Sequence, residues 1–272
     1  MATAGLPRVT CQFHRSSLKK SVKLFSGYGQ GIKYSRCQTH PRDKVHCVDS
    51  FLPKSTHEYF IVSTELDIRS GILVQLQDIE GLNRLVDTIA NENGRIDGCI
   101  AAAGVQQVAP ATEYDLKDVN KMLDINYTGV FATATTVARK MLEYKCHGSI
   151  CLIASRSGTI ANKGLISPVY NSSKAAVIQL AKNLAMEWSP VREDGSGGIR
   201  VNCLSPGHIL TPMVAKNLED EPGLKYKWCR ENMMGRLAET SEFKGAALFL
   251  LSKASSFMTG NNLVVDGGHT AW

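Results

Sequence analysis

From residue 72 onward, short apolar runs alternate with longer stretches in which apolar residues return every three or four positions. That alternation predicts a parallel sheet wrapped by helices. Strands are expected over 72–76, 96–103, 149–154, 199–204 and 263–265, and helices over 80–92, 116–144, 170–188 and 243–251. In the first helix Leu82, Leu85, Val86 and Ile89 share one side. The run Ser149-Ile150-Cys151-Leu152-Ile153-Ala154 is apolar almost throughout, as a strand covered on both faces requires. The expected fold class is therefore α/β, a doubly wound parallel sheet whose ligands bind beyond the carboxyl ends of the strands.

Two segments break the rhythm. Residues 193–198 form a charged, glycine-rich loop, and 206–235 form a long connection carrying Met213, Trp228, Met233 and Met234. A connection of that length in a compact domain is often a lid or binding loop. The other reading is a surface excursion with one short helix. Neither an internal repeat nor a low-complexity block is present.

A chain of 272 residues, 43% hydrophobic, can bury one sizeable core, and one domain is the expectation. The division is a basic tail over 1–21 and a single domain over 22–272, within which 22–71 forms a degenerate cofactor half and 208–235 a substrate lid. No run of 18 apolar residues exists, so no membrane-spanning segment is expected. The net charge of +6 is uneven: residues 1–44 hold nine Lys/Arg against the single acid Asp43, which leaves the rest near −2. Nucleic acid is thus not an expected partner. The acid-poor start reads as a solvated tail or a mitochondrial presequence, with the cytoplasm the expected location. Eight cysteines without paired spacing read as reduced thiols, with neither disulfides nor a metal site.

The chemistry concentrates in Tyr170-Asn171-Ser172-Ser173-Lys174, which places a phenol and an ammonium one helical turn apart. A nearby cation favours the phenolate, which would let the tyrosine exchange a proton at neutral pH. Ser155 or Ser157 at the end of a strand, Asn126 in the long helix and Ala101-Ala102-Ala103-Gly104 accompany it. Asp78-Ile79, Ser205-Pro206-Gly207 with Thr211, and Val265-Asp266-Gly267-Gly268 complete the series. In this order and spacing, over residues 72–272, these features resemble the short-chain dehydrogenase/reductase family with its Rossmann-type fold. The stretch from Asn120 through Lys174 and the ending from Asp266 to Trp272 resemble fungal polyol, sorbose and mannitol dehydrogenase-like members.

The resemblance implies an NAD(P)-dependent oxidoreductase interconverting a secondary alcohol and a ketone, the substrate a polyol/ketose or a secondary-metabolite ketone. In that scheme Tyr170 donates or accepts the proton, Lys174 lowers its pKa and holds the nicotinamide ribose, and Ser155 positions the substrate oxygen. Asn126 marks a helix irregularity whose carbonyl holds a water. Ser155 is preferred to Ser157 because it stands at the strand end with Gly158 following, although the family's usual separation from Tyr170 favours Ser157. Asp78, Ala103, Gly104, Gly207, Ile209 and Thr211 are the cofactor contacts implied, with Thr211 also suited to cap a helix beginning near Pro212. A homodimer or homotetramer is implied as well.

The phosphate-binding start is poor. Its candidate is Ser26-Gly27-Tyr28-Gly29-Gln30-Gly31-Ile32-Lys33, giving Gly27, Gly31 and Ile32 as cofactor contacts, with Lys33 where the family has a last glycine. Residues 34–42 lack helical periodicity and carry Pro41, and 44–49 read as the next strand, ending in Asp49 as a ribose partner. A divergent working site, a start wrongly derived from its gene, and a true loss of dinucleotide binding all remain open. Asp49 favours NAD(H) and polyol relatives use NADP(H), so the nucleotide is unresolved. The rival reading is a catalytically silent binding or regulatory protein.

Overall fold

The computed structural model describes strands 22–28, 44–50, 60–63 and 71–74, and residues 79–272 except 212, 213, 215–217, 220 and 221. Eight strands form one sheet: β1 (Val22–Tyr28), β2 (Lys44–Ser50), β3 (Phe60–Ser63), β4 (Gly71–Val74), β5 (Gly98–Ala102), β6 (Ser149–Ile153), β7 (Arg200–Pro206) and β8 (Asn262–Val265). Their order is β4-β3-β2-β1-β5-β6-β7-β8. The helices are α1 (Ile79–Asn93), α2 (Leu116–Leu123), α3 (Gly129–Glu143), α4 (Pro168–Trp188), α5 (Leu224–Arg230) and α6 (Lys244–Leu251).

From β2 to β8 through β1 the pairs are parallel, with the strand order reversing between β1 and β5. That reversal is the switch point at which doubly wound sheets bind ligands. The expectation of a parallel sheet needs one correction: β3 is antiparallel to both β2 and β4, so the far edge is a short meander. Gly27 also falls inside β1, where a turn was expected, and pairs in register with Asp49 of β2 and Ala102 of β5. Gly31, Ile32, Asp78 and the tail over 1–21 lie outside the described residues.

Apolar residues bury both faces of the central strands, which explains their unbroken hydrophobic runs. Ala101, Ile150, Leu152, Val201 and Cys203 pack with α1, α3 and α4 in the larger core. Their strand neighbours Ile100, Cys151 and Leu204 turn the other way, against Leu250 and Leu251 of α6. The expected helix over 116–144 is a continuous helical run interrupted by a π turn at Asp124–Thr128. Its start is fixed by Asp115, whose side chain accepts from the Lys117 N–H. In the long connection, Trp228 and Leu224 of α5 pack with Leu237 in a third small cluster.

Arg200 ties β7 to the chain beyond α6. Its guanidinium donates to the carbonyls of Leu250, Ser252 and Met258 and to Ser255 Oγ, at 2.9–3.2 Å. Each of these carbonyls keeps a second donor, from Ser149, Ser255 or Asn202, so what is lost is the charge-assisted set and the packing of the guanidinium, and Arg200→Met should cost about 2 kcal/mol of stability. Urea unfolding reads this directly; an unchanged midpoint would show that water replaces the guanidinium at no cost.

Candidate active site

Beyond Ile153 the chain leaves β6, stays extended through Ser155 (φ −165°, ψ 153°) and enters a single 3₁₀ turn, Arg156–Gly158. The turn packs directly on α4. A Cβ at Gly158 would stand 2.7 Å from the Lys174 carbonyl carbon and 2.8 Å from the Ala175 nitrogen, so only glycine permits the approach. The approach sets the Ser155 hydroxyl beside the Tyr170 phenol, where it favours the ionised form. Ser157, the alternative serine, points its Oγ elsewhere and accepts from Asn162 Nδ2 at 2.8 Å.

Pro168 in the first turn of α4 starts the helix, and Tyr170 and Lys174 follow on one face. The Lys174 ammonium is 3% exposed, stands 5.8 Å from the centre of the Tyr170 ring and donates to the Ile153 carbonyl at 2.9 Å. Burial pulls its pKa down to about 8. Burial pushes the Tyr170 phenol above its ordinary range, against the opposing pull of the Ser155 hydroxyl and the Arg156 cation. Lys174 is not among the groups acting on that phenol; the charge that acts on it is Arg156.

Asn126 lies in the π turn and is fully buried. Its Oδ1 accepts from the Val105 N–H at 2.8 Å, and its Nδ2 donates to the Val105 carbonyl and to Ser173 Oγ. Ser173 Oγ in turn donates to the Tyr170 carbonyl at 2.7 Å. One side-chain amide thus fixes the exit of β5 against the first turns of α4. Gly104 sits in the same junction: a Cβ there would stand 3.0 Å from Lys174 Nζ and 3.5 Å from Asn126 Oδ1.

The remaining expected contacts ring this junction at the carboxyl ends of the strands. Ala103 is buried after β5, and the Gly207 N–H donates to the Val265 carbonyl after β7. Ile209 bridges to Ala238, and Thr211 Oγ1 accepts from the Val214 N–H at 3.1 Å, the capping role its sequence position allowed. The donor set of the described groove suits the nicotinamide end of a dinucleotide: glycine at 104 lets the Lys174 ammonium lie against the exit of β5, where a buried cation can donate to a sugar hydroxyl. Lys174, Gly104, Ile209 and Thr211 would hold that end. Among the described residues no cluster of metal ligands occurs and the five cysteines are free.

A polar network beside Tyr170 escaped the sequence reading. Arg156 is 3% exposed and donates to Asn162 Oδ1 at 2.8 Å and to His208 Nε2. Since a guanidinium only donates, His208 accepts with Nε2 and carries its proton on Nδ1. Burial, Arg156 and His269 press the His208 pKa down to about 3, so the ring is neutral. It stacks on Trp228 at 4.1 Å and 11°, joining α5 to the site. Arg156, Asn162, Lys163, Glu231, His269 and Trp272 line a cavity of about 300 Å³. No spacing signal marks Arg156 in the sequence, because its partners Asn162 and His208 stand 6 and 52 positions away.

Comparison with known proteins places this geometry. The family model described as enoyl-(acyl carrier protein) reductase matches residues 61–270. A short chain dehydrogenase/reductase of Aspergillus versicolor is 45% identical over 65% of this chain, and the chain spans 60% of that relative's length. The ribulose-forming D-arabinitol 2-dehydrogenase of Candida albicans is 40% identical over 72% of this chain and 68% of its own. A gluconate 5-dehydrogenase from Burkholderia cenocepacia, solved with NADP and tartrate, superposes with a TM-score of 0.65 at 30% identity, covering 72% of this chain and 73% of that one. With a serine at the end of β6, a tyrosine and lysine one turn apart on α4 and a π turn presenting Asn126, the chain belongs to the short-chain dehydrogenase/reductase family.

Proposed function

We propose that the chain interconverts a secondary alcohol and a ketone with NAD(P)(H), Tyr170 exchanging the proton, and that a polyol or its ketose is the first substrate class to test. The observation that carries this reading is the buried Lys174 ammonium 5.8 Å from the Tyr170 ring, with the Ser155 hydroxyl at the strand exit beside the phenol. The arabinitol enzyme among the relatives supports the substrate class. The nucleotide, when bound, supplies or accepts the hydride; the choice between NAD and NADP stays open.

In the reducing direction, the substrate carbonyl oxygen sits between the Ser155 hydroxyl and the Tyr170 phenol. Burial keeps that phenol protonated at neutral pH, so it is loaded to give its proton to the oxygen as hydride reaches the carbon. The tyrosinate left behind is favoured by the neighbouring Ser155 hydroxyl and by the positive field of Arg156. Alcohol oxidation runs through the same groups in reverse, Tyr170 taking the proton.

The segment 208–235 acts as a lid in this reading, supported by the His208–Trp228 stack and by the exposed Met233 and Met234. Exposed Leu116, Phe131 and Met186 on α2, α3 and α4 support a homodimer or homotetramer. No helix among the described residues is long and apolar enough to cross a membrane. The cytoplasm is the proposed location; the thiols of Cys99, Cys151 and Cys203, buried and free, support a reducing compartment.

Tyr170→Phe should lower kcat for arabinitol or sorbitol oxidation at least about 100-fold while leaving the thermal shift given by NADH or NADPH in place. Ser155→Ala should lose far more than Ser157→Ala; the opposite order would reassign the serine. No thermal shift with either nucleotide at millimolar concentration would count against the reading as a whole.

Lys174 adds a pH test of the site's energetics. Its pKa falls on folding from the ordinary 10.5 to about 8, so the folded state binds fewer protons between those values. Stability from this group therefore rises with pH across that window and is lowest below it. Lys174→Met should be more stable than the wild type at pH 7, by up to ~3 kcal/mol, with the gap closing between pH 8 and 10. A gap independent of pH, read by denaturant unfolding, would contradict the burial cost.

A further inference from the structure

Arg156 is a buried cation whose immediate partners are all neutral. Its guanidinium donates to the Asn162 amide oxygen and the uncharged His208 ring, and no ion pair reaches it among the described residues. Such a group is costly to bury unless an anion completes it. The two carboxylates that act on it electrostatically are otherwise placed. Asp266 is occupied by its own turn, accepting from the N–H groups of Gly268 and Thr270 and from Thr270 Oγ1. Glu231 lines the same cavity but forms no ion pair with Arg156; its Oε2 lies 3.6 Å from the His208 Nε2 to which Arg156 donates.

Arg156 also opens onto the cavity, together with exposed Lys163 and with His269, whose buried Nδ1 has no hydrogen-bond partner. Asn162 is held in the orientation that offers Oδ1 to Arg156, since its Nδ2 donates to Ser157 Oγ and Asn171 Oδ1. The fork is thus fixed from behind, with donors left for a bound molecule.

We infer that Arg156 selects a substrate bearing a carboxylate, so that the preferred members of the polyol class are polyhydroxy acids and the corresponding keto acids. The carboxylate takes the fork in charge-assisted hydrogen bonds, and His269 Nδ1 meets a neighbouring substrate oxygen. This assignment rests on Ser155 and Tyr170 being the site of the alcohol–ketone chemistry.

The test is the ratio of kcat/KM for gluconate to that for sorbitol, a pair alike in hydroxyls and different in charge. Because Arg156 also acts on the Tyr170 phenol, its loss alters both reactions, and only the ratio isolates recognition. The wild type should favour gluconate, and Arg156→Met should lower the ratio at least about tenfold. Arg156→Lys keeps the charge without the fork and should fall between them. A sorbitol preference in the wild type, or a ratio unmoved in Arg156→Met, overturns the assignment. Thermal shifts with nucleotide and either gluconate or sorbitol need no turnover: gluconate should stabilise the wild type more than Arg156→Met. Equal shifts in the two proteins, or no gluconate shift in the wild type, also overturn it. An Arg156-dependent gluconate shift without turnover would defeat the oxidoreductase reading and leave the recognition standing.

Discussion

The amide of Asn126 is the constraint on which the site is built. It takes both the N–H and the carbonyl of Val105 at the exit of β5, and reaches Ser173 on α4 with its remaining donor. The π turn is what brings it there, by adding a residue to the helical run just where the chain passes the sheet's end. Gly104 and Gly158 let the backbone close in from either side. With those approaches made, Tyr170, Lys174 and Ser155 meet without any of them needing a flexible loop.

Burial then sets the electrostatics. Lys174 is drawn down to about 8, Tyr170 is pushed up, and His208 is kept neutral at about 3. All three shifts have the same leading cause, desolvation, and each favours the uncharged form. Arg156 is the exception: it stays charged while buried, and its field opposes the burial cost at the phenol. The same cation therefore acts on the phenol and lines the neighbouring cavity.

Much of this was legible in the residues. The continuous apolar runs placed β5 to β8 within a residue or two, because a strand covered on both faces admits few polar side chains. The one-turn spacing of Tyr170 and Lys174, and Gly158 after the strand end, marked the face on which Tyr170, Lys174 and the strand exit at Ser155 lie together. The strand Phe60–Ser63 was missed: four residues are too short to display alternation, and Pro53, Lys54, His57 and Glu58 before them read as loop. The Arg156–His208–Trp228 network could not be read either, since its members come together over 20 to 72 positions of sequence and share no periodicity. The balance of burial against charge at Tyr170 depends on the packed interior, which spacing does not convey.

If Tyr170 and Ser155 receive a substrate oxygen while hydride reaches the attached carbon, ribulose or fructose reduced with NADH or NADPH carrying deuterium at the transferable position should yield an alcohol with deuterium on its carbinol carbon with at least one of the nucleotides. An unlabelled alcohol, or unreacted ketose with both nucleotides, would contradict that chemistry.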